Sequence, residues 1–319
     1  MSDTNIQFYE GNKLKAPFNK EEKKPRPYIP DNDLIEAVKL AQILQRPLLL
    51  KGEPGCGKTR LAEAVAFELF EDKYKEHYFE WPIKSNSKAQ DGLYVINHLQ
   101  QLRDANVRSE VPKKLSIKLG GDYLELGPLG KAFQSTNTMG TSIPPIVLID
   151  EIDKADIDFP NDLLQELENM KFIIPGAVDD NDSPLVISAK EGMKPLIIIT
   201  SNDEKTLPPA FLRRCLFYYI EFPNREDLEM IVSSHYPSLT KELMDKTLDK
   251  FIQTRDKIND DALGNKNIST SELLDWVKVI SYYTAEGKVI PDLEKQFPYY
   301  QVLLKDLESV KQFMGTSSK

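Results

Sequence analysis

Residues 52–59 read Gly52-Glu53-Pro54-Gly55-Cys56-Gly57-Lys58-Thr59, a complete G-x-x-x-x-G-K-[ST] spacing. Glycines at these positions let the backbone curl so that successive N–H groups point at an anion. The positive end of a following helix adds to the same field. Lys58 then reaches the β- and γ-phosphates of a nucleoside triphosphate, and the Thr59 hydroxyl holds Mg²⁺. The flanks agree with that reading. Pro47-Leu48-Leu49-Leu50 before the loop is a short apolar run of strand type, and the Ala-rich stretch from Arg60 to Ala66 after it is of helix type. Arg60, at the start of that helix, is counted with the loop as nucleotide-binding.

A second group lies far downstream. The apolar run Ile146-Val147-Leu148-Ile149 ends in Asp150-Glu151. At the C-terminal end of a buried strand, Asp150 can organise the Mg²⁺ shell, and Glu151 can polarise the water that attacks a γ-phosphate. An Asp-Glu pair alone reads equally well as a helix cap; the phosphate loop upstream gives it a hydrolytic meaning. Leu196-Ile197-Ile198-Ile199 is followed by Thr200-Ser201-Asn202, and in a parallel sheet Asn202 would sit beside Glu151 and orient the same water. Arg213 and Arg214 precede the last apolar run. Nucleotide hydrolysis often needs a guanidinium against developing phosphate charge, and it can come from a neighbouring subunit.

These residues need elements to hold them. Apolar runs over 47–51, 78–83, 146–150, 196–201 and 218–222 alternate with helical patterns. Two of the runs are continuously apolar, as expected for strands covered on both faces. The class is therefore α/β, with a helix expected over Asp31–Gln45 before the first strand. The long interval between the second and third runs exceeds a normal crossover and reads as an insertion over about 84–127. It contains a possible hairpin, Leu115–Leu119 with Tyr123–Leu126. After Asn224 the strand signal stops. Helices are expected over Arg225–His235, Lys241–Arg255, Thr270–Thr284 and Tyr299–Met314, forming a small all-α domain over 224–319. Residues 1–27, rich in Lys, Glu and Pro, read as a flexible tail ahead of a core over 28–223.

Composition narrows the function classes. The chain has 319 residues, 40% hydrophobic and 29% charged, with net charge −9. A protein devoted to duplex nucleic acid would show a basic excess, and clusters mixing aromatic and basic residues are missing, so a nucleic-acid motor is the weakest reading. Cys56 and Cys215 are no disulfide framework and fit a reducing cytoplasm. Cys56 reads as a small filler of the loop; the alternative is a redox sensor acidified by the helix N-terminus. No apolar run nears the roughly 20 residues of a membrane span, and the N-terminus has no signal-peptide pattern.

With these residues in view, the chain resembles the AAA+ ATPases, and among them the MoxR branch. The resemblance rests on the stretch from Arg46 to Gly55, Leu126-Gly127-Pro128-Leu129, the stretch from Ile149 to Ala155, and Leu212-Arg213-Arg214. It extends to the stretch from Ser269 to Trp276 and Val302-Leu303-Leu304-Lys305, so it covers the chain from about Tyr28 onward. It implies a P-loop αβα sandwich with a five-stranded parallel sheet, followed by the helical lid, with ATP and Mg²⁺ bound. It also implies a homo-oligomeric ring, typically a hexamer. Asn202 would be its sensor-1 residue, and Arg213 or Arg214, with Arg214 preferred, would reach the neighbour's γ-phosphate. Loops near Ser116–Gly127 and a hairpin over Phe172–Lys194 would line a pore or meet a partner.

Such relatives remodel or mature a protein client, usually with a von Willebrand A domain partner. Similar ATPases also act as ATP-dependent oligomeric switches on an effector in bacterial conflict systems. One departure stands out. Where many relatives carry an arginine at the start of a lid helix, this chain has Ser271; Lys266 is a possible substitute.

Overall fold

The computed structural model describes residues 7–15, 17, 24–97, 99, 123–179, 181, 183–260, 268–286, 293, 296–305 and 310. Among these, nine strands form three sheets. They are β1 (Leu48–Gly52), β2 (Tyr78–Pro82), β3 (Tyr94–Ile96), β4 (Leu124–Leu126), β5 (Ile146–Asp150), β6 (Lys171–Val178), β7 (Pro184–Ser188), β8 (Leu196–Ser201) and β9 (Leu216–Ile220). The main sheet is parallel with the order β2-β5-β8-β1-β9. Its helices include α1 (Asn32–Leu44), α2 (Lys58–Phe70), α3 (Ala89–Leu93) and α4 (Pro128–Thr138). Short helical turns follow at α5 (Phe159–Asp162), α6 (Leu164–Asn169) and α7 (Pro209–Leu212). This is the expected P-loop αβα arrangement.

The runs read as doubly covered are buried throughout: all six residues of β8 are buried, as are Ile146–Ile149 of β5. β8 pairs with β5 on one side (Ile149 opposite Ile199) and with β1 on the other (Lys51 opposite Ser201). Three neighbouring parallel strands therefore end at one sheet edge, the edge where open α/β sheets place their ligands. Trp81, Phe133, Phe159, Phe172 and Phe211 fill the core between this sheet and its helices.

Several elements fall elsewhere than expected. The last strand is Leu216–Ile220, two residues ahead of the expected 218–222; it is an edge strand whose Phe217 and Tyr219 are exposed, so the apolar pattern marks its position poorly. β4 pairs antiparallel with β3, Tyr94 opposite Leu126, whereas the expected partner Leu115–Leu119 lies outside the described residues, as does Ser116. The expected hairpin after Phe172 is present as β6 and β7, antiparallel, with an irregularity where Pro175 withholds a donor and Gly176 takes φ 76°. Within the segment read as a flexible tail, Tyr9 is buried and its N–H donates to Gln42 at 3.2 Å, so the chain is packed at that residue.

The described chain divides into two compact units: residues 1–10, 32–51 and 65–218, and residues 11–31, 52–64 and 219–319. In the second, the C-terminal helices are α8 (Arg225–His235), α9 (Lys241–Asp260) and α10 (Thr270–Ala285). Asn224 caps α8 by accepting from the N–H of Asp227 at 3.0 Å, and the Ser269 N–H donates to Glu272 at 2.8 Å before α10. Trp276, Phe251, Leu248 and Val232 centre their core. α9 runs five residues past the expected Arg255. Of the helix expected over 299–314, the described residues show a single 3-10 turn, Tyr300–Val302, after a left-handed Tyr299 at φ 56°, and a helical Val310. Leu303, Leu304 and Lys305 continue without helix, and most residues beyond lie outside the described set.

Candidate functional site

The phosphate loop joins β1 to α2. Gly55 has φ +76°, and a Cβ there would stand 2.5 Å from the hydroxyls of both Ser269 and Ser271, so only glycine fits. Ser271 thus stands against the loop, but with a hydroxyl rather than a charge. Gly57, at φ +98°, lies under the Tyr28 ring. Lys58 is buried, and its ammonium donates to the carbonyls of Gly52 at 2.8 Å and Glu53 at 2.9 Å, spanning the loop from inside. The Glu53 side chain accepts from Arg255 at 2.7 Å. Arg60 pairs with Glu63 and donates to the Arg26 carbonyl at 2.9 Å.

Cys56 departs from the acidified alternative. Burial pushes its thiol pKa up, and the neighbouring Lys58 opposes that shift without reversing it. The loop cysteine therefore stays a thiol, which supports the filler reading.

The acidic pair is held by β8. Thr200, fully buried, donates its hydroxyl to Asp150 Oδ1 at 2.7 Å and accepts the Glu151 N–H at 2.7 Å. One hydroxyl thereby fixes two adjacent carboxylate residues. Glu151 has left-handed backbone (φ 59°, ψ 52°), a conformation that costs a non-glycine residue about 1–3 kcal/mol and persists only where its surroundings dictate it. Asn202 Nδ2 donates to Glu151 Oε1 at 3.1 Å, as the parallel register anticipates, and Lys154 pairs with Oε2. That contact pushes the Lys154 pKa up, chiefly through the hydrogen bond its ammonium donates to Glu151. Behind them Asp153, buried, accepts from Ser201 at 3.0 Å and from the N–H of Glu204 at 2.9 Å, which fixes the turn carrying Asn202.

The role of Thr200 is not evident from any motif, although a polar residue closing the apolar run Leu196–Ile199 is a usable signal. Thr200→Val keeps the shape and removes both hydrogen bonds. It should cost about 1–3 kcal/mol in chemical denaturation, because the Glu151 N–H loses its acceptor. Any phosphate-releasing activity should fall about tenfold to a hundredfold as Asp150 and Glu151 lose their alignment. An unchanged rate would show that Thr200 does not set the pair.

The arginines sit just after α7. Arg46 donates to the backbone carbonyls of Arg213, of Arg214 at 3.2 Å and of Cys215 at 3.3 Å, which pins this turn. The Arg214 side chain pairs with Glu168 and donates to the Ala210 carbonyl at 3.2 Å. The Arg213 side chain is exposed and makes no hydrogen bond or ion pair among the described residues.

Comparison with curated proteins gives no match. No helix among the described residues is long and apolar enough to cross a membrane. The family model for the ATPase family associated with various cellular activities (AAA) matches residues 48–224, more than half of the chain. That span contains the phosphate loop, the Asp150-Glu151 pair, Asn202 and both arginines, and the chain belongs to the AAA family of ATPases.

Proposed function

We propose that this chain hydrolyses ATP with Mg²⁺ and does so as a homo-oligomeric ring. Members of the family bind ATP, generally use Mg²⁺ and typically assemble into rings. The observation that carries the proposal is the strained Glu151, held by Thr200 and Asn202 at the end of β5. The donor set fits the ligand: Gly52–Thr59 supplies backbone N–H groups and the Lys58 ammonium for phosphates, and the Thr59 hydroxyl and Asp150 are oxygen ligands suited to Mg²⁺. When bound, Mg²⁺ would supply charge neutralisation at the phosphates; Glu151 takes the proton from water, and Asn202 keeps the carboxylate aimed.

In this reading the charge that builds on the phosphate is met by an arginine of the neighbouring subunit. Of the two arginines we favour Arg213 as the finger, because the Arg214 side chain is already paired with Glu168. The coupled work is remodelling or maturation of a protein client, of the kind done by MoxR relatives with a von Willebrand A domain partner. The softer matches at Leu126–Leu129 and Ser269–Trp276 support that branch.

A second reading, an ATP-dependent oligomeric switch with slow turnover, is favoured by one contact. Lys154 and Asn202 together occupy both oxygens of Glu151, which holds the base in reserve. Phosphate release from Mg-ATP by the purified chain separates the two. Many turnovers per minute support remodelling. Assembly on ATP with almost no phosphate release supports the switch, and no ATP binding at all contradicts both.

A further inference from the structure

Arg255 lies on α9, and its side chain is only 7% exposed. Its guanidinium stacks on the Phe222 ring, 3.6 Å from the centroid, and donates to the Ile268 carbonyl. Its remaining edge reaches Glu53 Oε2 at 2.7 Å. A guanidinium withdrawn this far from water needs an anion and further acceptors, and here every contact is of that kind. The anion it takes belongs to the phosphate loop.

Glu53 is a costly residue for such a loop. Its carbonyl accepts from Lys58 at 2.9 Å, so its backbone is part of the ring around the ammonium. A carboxylate so close to a site for a polyanion repels the ligand, because at these separations like charges interact strongly. Arg255 cancels that charge. Through Ile268 it also ties the loop to the segment that leads into Ser269, whose hydroxyl stands against Gly55. The two contacts join α9, the entry to α10 and the phosphate loop through one side chain.

We propose that Arg255 is a positioning residue for nucleotide binding: it neutralises Glu53 and so makes the phosphate loop attractive to a triphosphate. This rests on the reading that the loop holds ATP. The positive charge comes from α9 and acts on the loop itself, while Ser271 at the start of α10 contributes none.

The test is binding of a fluorescent ATP analogue in Mg²⁺ buffer by the full chain and three variants: Arg255→Met, Glu53→Gln and the double variant. Arg255→Met keeps apolar packing on Phe222 and removes the guanidinium from Glu53, so affinity should fall about tenfold or more. Glu53→Gln should tighten binding about twofold to threefold by removing the repulsive charge. The double variant should return to within about threefold of the native affinity, as coupled charges do in a double-mutant cycle.

A purely structural Arg255 predicts instead that the double variant binds as weakly as Arg255→Met, and that result overturns the proposal. Native affinity in Arg255→Met also overturns it. Should Arg255→Met fail to fold, as judged by its thermal melt, Glu53→Gln decides alone, and a tenfold loss of affinity there contradicts the charge argument. Failure of the native chain to bind the analogue would sink the ATP reading itself, and this inference with it.

Discussion

Glu151→Gln should lower phosphate release from Mg-ATP about a hundredfold or more, the scale on which a positioned general base contributes. The substitution preserves size and the carbonyl that can accept from Asn202. It removes the only property the mechanism asks of this side chain, the ability to take a proton. It also places an amide where Lys154 now finds an oxygen, so that ion pair is lost. The loop from Gly52 to Thr59 is untouched, and affinity for ATP should stay within about threefold of native, since nothing that holds the phosphates has changed. A phosphate-release assay beside an equilibrium binding measurement separates the two effects. Hydrolysis at the native rate would remove Glu151 from the mechanism.

The next largest effect concerns assembly. Arg213→Ala alone should lose about a thousandfold in turnover, the lower range for a guanidinium serving a neighbour's phosphate. Lys58→Ala alone should lose nucleotide binding, because the ammonium that bridges the carbonyls of Gly52 and Glu53 is gone. Mixed, the two inactive chains should regain activity. A Lys58→Ala subunit still offers Arg213, and an Arg213→Ala subunit still binds ATP. In a head-to-tail ring assembled at random from equal amounts, about a quarter of the interfaces then pair an intact loop with an intact arginine. Recovery should be of that order. No recovery would mean that Arg213 does not act between subunits. Repeating the mixture with Arg214→Ala would then test the arginine now paired with Glu168.

Much of this site is legible in the sequence because its parts are local. The loop declares itself by spacing, and β5 and β8 declare themselves by unbroken apolar runs that only doubly covered strands need. Placing Asn202 beside Glu151 followed from parallel neighbours, and the 3.1 Å hydrogen bond agrees. What could not be read depends on long-range contacts. Arg255 and Glu53 are 202 positions apart, and neither belongs to a pattern that names the other. The Arg214–Glu168 pair, on which the proposed preference for Arg213 rests, bridges separate elements in the same way. β9 is hard to place from sequence because this edge strand alternates half-buried and exposed residues and exposes aromatics. At Tyr299 a left-handed residue precedes a 3-10 turn where the sequence pattern suggests the start of an α-helix.

The central claim is that ATP hydrolysis belongs to an assembly of these chains. Its most direct test is phosphate release per subunit from Mg-ATP, measured across a wide range of protein concentration. The rate per subunit should rise with concentration and level off once subunits meet their neighbours. A rate per subunit that is substantial and independent of concentration in a protein shown to be monomeric throughout would contradict it.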